Sequence, residues 1–329
     1  MSIAIRMAVA CLTAFVLGLL LGKIVIPVLR ALKAGQSIRE IGPKWHAGKA
    51  GTPTMGGVIF ILAALTCIPV GWKEISGGDL SVLYLFGFSL VFGLIGFLDD
   101  FFKVKFKRNL GLTALQKFLL QLAAAVIYLF LLRRSGMLTN DLYLPFFNVT
   151  FKIAWPLYFA FAAFVMVGCV NAVNLTDGID GLATGVTMPV MLFFALLAMR
   201  WGQTGTALFA IALLGGLGAF LCYNFHPARV FMGDTGSLFL GAAVCGAAFA
   251  LDAPLTLLLV GIIYIVETVS VILQVTYFKL THGKRIFRMT PIHHHFEMGG
   301  WSEVKIFFVF TAVTVAGCVL AWLGVMHRF

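Results

Sequence analysis

Charge is scarce in this chain. Asp, Glu, Lys and Arg make up 11% of its 329 residues, and only 13 of those side chains are acidic. A soluble surface on a protein of this length needs far more charge. The two soluble domains that length alone would allow are therefore excluded. Cysteine is sparse too, and Cys11, Cys67, Cys169, Cys222, Cys245 and Cys318 lie singly in apolar runs. That spacing excludes a thiolate metal site and leaves helix packing as their role. No internal repeat and no low-complexity tract is visible, which argues against a solenoid and against the inverted halves of many transporters.

What the chain has in quantity is apolar length. It is 61% hydrophobic with 32 Phe, and its mean hydropathy is +1.01. Runs of about 17–25 apolar residues are long enough to cross a bilayer. Ten are read, at 5–28, 55–71, 80–98, 112–132, 153–173, 182–199, 204–223, 237–251, 254–279 and 304–326. The eighth is short, which suits a tilted or re-entrant segment and leaves the count open by one. No small-residue cleavage site follows the first run, so it is read as retained rather than as a removed signal. The expected fold is an all-α integral membrane protein, one polytopic domain over residues 1–329, with about ten transmembrane helices.

Ten spans place both termini on one side and sort the loops into two sets. Residues 29–53, 99–111, 174–181, 224–236 and 279–305 carry fifteen Lys and Arg; the opposite loops and the termini carry seven. The basic excess makes the first set cytoplasmic and the termini extracytoplasmic. Six of the seven histidines also fall in that set, as do the aspartate clusters. Setting topology requires neither histidines nor paired aspartates, so these residues point to a site.

Intramembrane and interfacial carboxylates are expensive and mark function by default. Asp99 and Asp100 end the third span. Adjacent acids repel and are poorly solvated there, and at a helix C-terminus they oppose the dipole. They call for a cation or basic partners, and Lys103, Lys105, Lys107 and Arg108 follow at once. Asn171, Asn174, Asp177 and Asp180 recur every third residue, close enough to touch on a helix. Gly178 and Gly181 suggest a break that turns the aspartates into one cavity. Asp234, between Gly233 and Gly236, suits Mg²⁺, which takes few protein oxygens and keeps water or phosphate. Asn224 and Phe231 upstream suit a planar ligand group. His293, His294 and His295 follow Pro291 and precede Glu297; three adjacent histidines rarely bind one ion, and hydrogen bonding to a polyphosphate fits them better. Lys49 leads a Gly- and Thr-rich run to Gly57 that suits phosphate. Lys117 opens the fourth span and either snorkels or faces the site. Glu267, inside the ninth span, is either a packing partner or a groove residue.

Several carboxylates, a metal-suited aspartate, lysines and histidines at one membrane surface make an inventory for phosphoryl transfer, where positioning and charge neutralisation dominate. One substrate is then a phosphate-headed lipid and the other a soluble polyanion. The net charge of +11 fits anionic partners.

The runs Lys49 to Gly57, Leu98-Asp99-Asp100, Asn171 to Leu182, Phe231 to Ser237 and Pro291 to Glu297 closely resemble the phospho-N-acetylmuramoyl-pentapeptide-transferase family (bacterial translocase I). That family lies within the polyprenyl-phosphate N-acetylhexosamine-1-phosphate transferase superfamily. The aspartate motifs resemble the whole superfamily; the three-His run and the Gly-Thr-Pro-Thr-Met-Gly-Gly segment resemble the muramoyl branch. The resemblance covers essentially the whole chain. It implies transfer from UDP-N-acetylmuramoyl-pentapeptide to undecaprenyl phosphate with Mg²⁺, giving lipid I and UMP at the bacterial inner membrane. It also implies a broken ninth helix and a cleft open to the cytoplasm.

By the same resemblance Asp99 activates the lipid phosphate beside an essential Asp100, and Asp234 is the Mg²⁺ ligand. Lys49, Asn174, Asp177, Asp180 and Phe231 hold the nucleotide sugar. His293 and its neighbours lie by the pyrophosphate, Lys117 lies near the acids, and Gln274 is a polar groove residue. Expected partners are the two substrates and membrane lipid rather than nucleic acid, with homodimerisation left open. Direct attack by the lipid phosphate is favoured over a phospho-enzyme, because a phosphate dianion is already nucleophilic. The rivals are a UDP-N-acetylglucosamine transferase and an anion transporter, although transporters place their charges nearer mid-span.

Overall fold

The computed structural model describes residues 2–32, 51–106, 111–326 and 328. Fourteen α-helices and one hairpin follow in order among these residues. They are α1 (Ile3–Ala31), α2 (Val58–Ala64), α3 (Cys67–Val70), α4 (Trp72–Ser76), α5 (Ser81–Phe106), α6 (Ala114–Arg134), β1 (Asp141–Leu144), β2 (Val149–Lys152), α7 (Trp155–Thr176), α8 (Leu182–Arg200), α9 (Thr204–Asn224), α10 (Gly233–Ala250), α11 (Leu257–Val260), α12 (Ile262–Leu280), α13 (Ile292–Glu297) and α14 (Glu303–Val325). Polar residues start several of them. Thr113 and Gln116 form a reciprocal capping box at α6, and Ser302 accepts the Lys305 N–H at α14.

Nine of these helices are long and apolar enough to cross a membrane, among the described residues. The span expected at 55–71 differs. It folds as the two short helices α2 and α3, with Leu65 and Thr66 between them. Thr66 bonds its hydroxyl back to Ala63 O, and Pro69 has no N–H to offer the preceding turn; both loosen a continuous ladder. The all-α expectation also misses the antiparallel β1–β2 hairpin. Its Phe146 and Asn148 take positive φ at the turn.

The helices divide into a core and a rim. Of the most apolar stretch of α10, 89% is buried, against 28% in α1 and in α12. Around α10 pack α5 and α7, while α9 packs on α1 and α8. Glycines make the close contacts: Gly246 meets Phe88, Gly241 meets the Val170 backbone, and Gly18 meets Ala219. Such small residues let backbones approach where lipid offers no hydrophobic drive between helices. Tyr128 stacks on Phe88 at 3.9 Å and donates its hydroxyl to Gly246 O at 3.0 Å. An aromatic pair of this kind adds about 1 kcal/mol beyond its burial. The rim is apolar outward, with Leu12, Val16, Leu20 and Ile24 on α1 and Ile272 and Leu273 on α12 all exposed.

Polar contacts gather at the two ends of the bundle. At one end Arg6 pairs with Glu74, and Asp252 accepts from Thr139 Oγ1 at 2.6 Å and lies 3.6 Å from Arg328. The Arg6 guanidinium holds the Glu74 carboxyl below its ordinary range. The other end carries the aspartates.

Candidate active site

Four helix ends build the cluster. Asp99, Asp100 and Lys103 come from the last turns of α5, Lys117 from the first turn of α6, Asn174 from the end of α7 and Asp234 from the start of α10. The third span ends later than its hydropathy suggests, because α5 runs on to Phe106. Asp99 and Asp100 are therefore buried within a helix rather than at its end.

Asp234 is the hub. Its Oδ2 receives Lys103 Nζ and Lys117 Nζ, each at 2.9 Å, and its Oδ1 accepts from Asn174 Nδ2 at 2.8 Å. Asn174 also donates to Ser237 Oγ at 2.7 Å. Lys103 Nζ lies 2.5 Å from Asp99 Oδ2 and 4.0 Å from Asp100 Oδ1. Asp99 Oδ1 accepts the Leu112 N–H at 2.8 Å. Three carboxylates thus surround two ammonium groups, and the carboxylate oxygens lie within 4.8 Å of one another.

Asp100 has a role the sequence did not show. Thr235 donates its N–H at 2.9 Å and its hydroxyl at 2.8 Å to Asp100 Oδ2, and the Asp234 N–H points to Oδ1 at 3.3 Å. Met232, at the N-cap of α10, offers no side-chain cap. Asp100 supplies it from α5, a carboxylate at a helix N-terminus where N–H groups and dipole both favour negative charge. Gly233 makes this approach possible. Its φ is 69°, and a Cβ there would stand 2.7 Å from Thr54 Oγ1.

The strip ending α7 is split. Asn174 joins the cluster, but Asn171 donates to Gln121 Oε1 and Val167 O, both at 2.8 Å. Asp177 is the C-cap of α7. Burial, then the charges of Asp234, Asp100 and Asp180, push its carboxyl up to about 8. Asp180, next to Gly181 at φ 75°, sits in a second knot. Its Oδ2 accepts the Ala228 N–H at 2.9 Å and lies 3.0 Å from His226 Nδ1. Its own N–H donates to Glu303 Oε2 at 2.9 Å.

Asn224 shapes the loop before α10, accepting from Thr184 Oγ1 and donating to Val230 O, both at 3.0 Å. Phe231, in that loop, pairs through its backbone with Pro53 at 2.9 Å and Gly56 at 2.8 Å. Gln274 takes the Ile286 and Phe287 N–H groups at 3.0 Å and pins that loop to α12. The three histidines lie on α13: His293 Nδ1 is 3.0 Å from Glu267, His294 Nδ1 is 2.6 Å from Glu297, and His295 Nδ1 accepts the Arg288 N–H at 3.1 Å. Lys49 lies outside the described residues. Sequence reasoning named Lys103 only among four basic residues that follow the acids, and did not single out Thr235, Ser237, Gln121, His226 or Glu303 as site residues. Of these only Lys103 carries a signal, one helical turn beyond Asp99.

A groove of about 530 Å³ runs between α6 and α7. Phe118, Leu122, Val126, Phe159 and Phe164 line it, with Asn171. Phe118 follows Lys117 in the sequence and Asn171 stands one turn before Asn174, and the walls are otherwise apolar.

The sequence bears likenesses that match this arrangement. The glycosyl transferase family 4 profile matches residues 82–252, and residues 49–61 match phospho-N-acetylmuramoyl-pentapeptide-transferase signature 1. A phospho-N-acetylmuramoyl-pentapeptide-transferase of Heliobacterium modesticaldum is 50% identical over 98% of this chain and 97% of its own length. Those of Carboxydothermus hydrogenoformans and Clostridium beijerinckii are 47% and 48% identical, over 96% and 94% of this chain and 97% and 94% of theirs. The chain belongs to glycosyl transferase family 4 and, within it, to the phospho-N-acetylmuramoyl-pentapeptide-transferases.

Proposed function

We propose that this protein transfers phospho-N-acetylmuramoyl-pentapeptide from its UDP-linked donor to undecaprenyl phosphate, giving lipid I and UMP. One observation carries the reading: three carboxylates and two lysines converge at one end of an apolar bundle. That end is proposed to face the cytoplasm of a bacterial cell membrane. The excess of basic residues in its loops supports this side, with both termini opposite.

The acceptor's chain is proposed to lie along the α6–α7 groove, bringing its phosphate to Lys117 and Asp99. Lys103 and Lys117 then neutralise phosphate oxygens, while Asp99, held by Leu112 N–H, accepts a proton from the acceptor phosphate or orients it. The donor's nucleotide is proposed to sit between the Phe231 loop and Asp180, with Asn174 and Asp177 along its sugar and diphosphate. Lys49 would extend that side, and His293, His294 and His295 the diphosphate side.

The donor set fits a magnesium ion: the oxygens of Asp99, Asp100 and Asp234 are hard, close together and free of sulfur. Asp234 is the residue proposed to hold it. A bound ion there supplies charge neutralisation to the diphosphate. Direct attack of the lipid phosphate is favoured over a phospho-enzyme. Both oxygens of Asp100 accept hydrogen bonds, and Asp99 Oδ2 is paired with Lys103, so neither carboxylate is arranged as a nucleophile. The donor assignment is tested by following UMP release from UDP-N-acetylmuramoyl-pentapeptide and from UDP-N-acetylglucosamine. Release from the second alone contradicts it.

A further inference from the structure

Two buried polar atoms beside the site have no hydrogen-bond partner among the described residues, His293 Nε2 and Glu267 Oε1. Both side chains are 0% exposed. Glu267 stands in the second turn of α12 and His293 in the first turn of α13. Glu267 Oε2 lies 3.0 Å from His293 Nδ1 and 3.5 Å from its backbone N. A carboxylate only accepts, so Nδ1 carries the hydrogen, an assignment made from the bond itself. Nε2 is then the atom left for a ligand. It faces the Gly178 turn, where an added Cβ would run into His293 Nε2 and stand 2.5 Å from its Cε1. That turn joins Asp177 to Asp180.

The neighbouring rings are held differently. His294 pairs with Glu297 within the same short helix. His295 Nδ1 accepts the Arg288 N–H, so its hydrogen sits on the other nitrogen. The three-His run is three separately oriented rings, and His293 reaches a carboxyl on another helix. For packing alone, an apolar side chain at Glu267 would serve better than a buried carboxyl with one oxygen unpartnered.

We propose that Glu267 is a positioning residue for the transfer reaction: it holds His293 by Nδ1 so that Nε2 is presented to a phosphate oxygen of the donor at the Gly178 turn. The proposal rests on the donor site described above. A diphosphate oxygen of the donor carries no hydrogen and only accepts, so in the complex both ring nitrogens donate, Nδ1 to Glu267 and Nε2 to the phosphate, and the bond depends on ring orientation. A carboxylate behind an imidazole is the arrangement that fixes such orientation.

The test uses the full-length enzyme in detergent and follows UMP release. Glu267→Met keeps the volume but accepts nothing. It is expected to lower kcat roughly 10- to 100-fold, with little change in donor KM and with folding retained in thermal melts. Glu267→Gln, whose amide oxygen still accepts from Nδ1, is expected to recover most of that loss. Adding Glu267→Met to His293→Gln is expected to cost nothing further. Native kcat in Glu267→Met, or an equal cost with and without His293, overturns the proposal. Native activity in His293→Gln instead removes His293 from the donor site, and the role of Glu267 with it. Independently of turnover, ¹⁵N spectra of the histidine-labelled native enzyme are expected to show a protonated Nδ1 that His293→Gln abolishes. An unprotonated Nδ1 at His293 overturns the proposal even should Glu267→Met fail to fold.

Discussion

Lys117 and Asp234 stand 117 positions apart, yet Lys117 Nζ meets Asp234 Oδ2 at 2.9 Å. The contact locks the first turn of α6 to the first turn of α10 and places a cation at the position proposed for the phosphates. Lys103 shares the same oxygen, so Asp234 has a spare cation when one is recruited to substrate. Lys117→Met is expected to lower kcat by roughly 100-fold or more, the scale of losing one charge aimed at a transferring phosphoryl group. Lys117→Arg is expected to recover only part of that, because a fork does not replace a point charge. Steady-state UMP release measures both, and native rates in Lys117→Met would contradict the assignment.

Gly233→Ala is expected to disable the enzyme without touching any substrate. Its φ of 69° disfavours any Cβ, by roughly 1–2 kcal/mol, and the methyl would press on Thr54 and on the Asp100 carboxylate that caps α10. The expected outcome is a melting temperature lowered by several degrees and transfer reduced more than stability. A variant with native melting and native turnover would show that the capping contact is dispensable.

Asp177 gives a pH signature. Its folded-state carboxyl is raised from the ordinary value to about 8. Stability from its neutral form is complete below its ordinary range near 4 and is lost as pH rises toward 8. The melting temperature of the ligand-free enzyme is expected to fall between about pH 4 and pH 8, and Asp177→Asn is expected to flatten that fall. An unchanged pH profile in the variant would contradict the burial argument.

Asn171 and Asn174 lie one turn apart but separate by function. Asn174→Ala removes a bond to Asp234 and is expected to act on turnover. Asn171→Ala removes a bond to Gln121 and is expected to cost about 1 kcal/mol of stability with donor KM unchanged. Thermal melts and kinetics on the pair separate the two. Equal kinetic losses would show that Asn171 also belongs to the donor site.

The aspartates were legible in the sequence because charge is so costly in an apolar chain that each one needs a reason. Nine of the expected spans were legible for the converse reason, since hydropathy over a helix length is set by composition. What stayed hidden depends on which helices meet. Nothing in the local pattern says that Asp100 caps α10, that Gln121 takes up Asn171, or that Glu303 of the last helix reaches the Asp180 N–H. The interruption between α2 and α3 was hidden because hydropathy averages over the backbone events at Thr66 and Pro69. The hairpin was hidden because two four-residue strands leave too short a period to read.

Asp234 is proposed to gather the charges that make both phosphates react, and Asp234→Asn tests this most directly. The side chain keeps its size and its bond with Asn174 in one orientation, but loses the charge that holds Lys103 and Lys117. UMP release and lipid I formation, measured together across a Mg²⁺ titration, are expected to fall in parallel by roughly 1,000-fold or more at every Mg²⁺ concentration. The melting temperature is expected to stay close to that of the native enzyme. Transfer by Asp234→Asn at the native rate and with the native Mg²⁺ dependence would contradict the account.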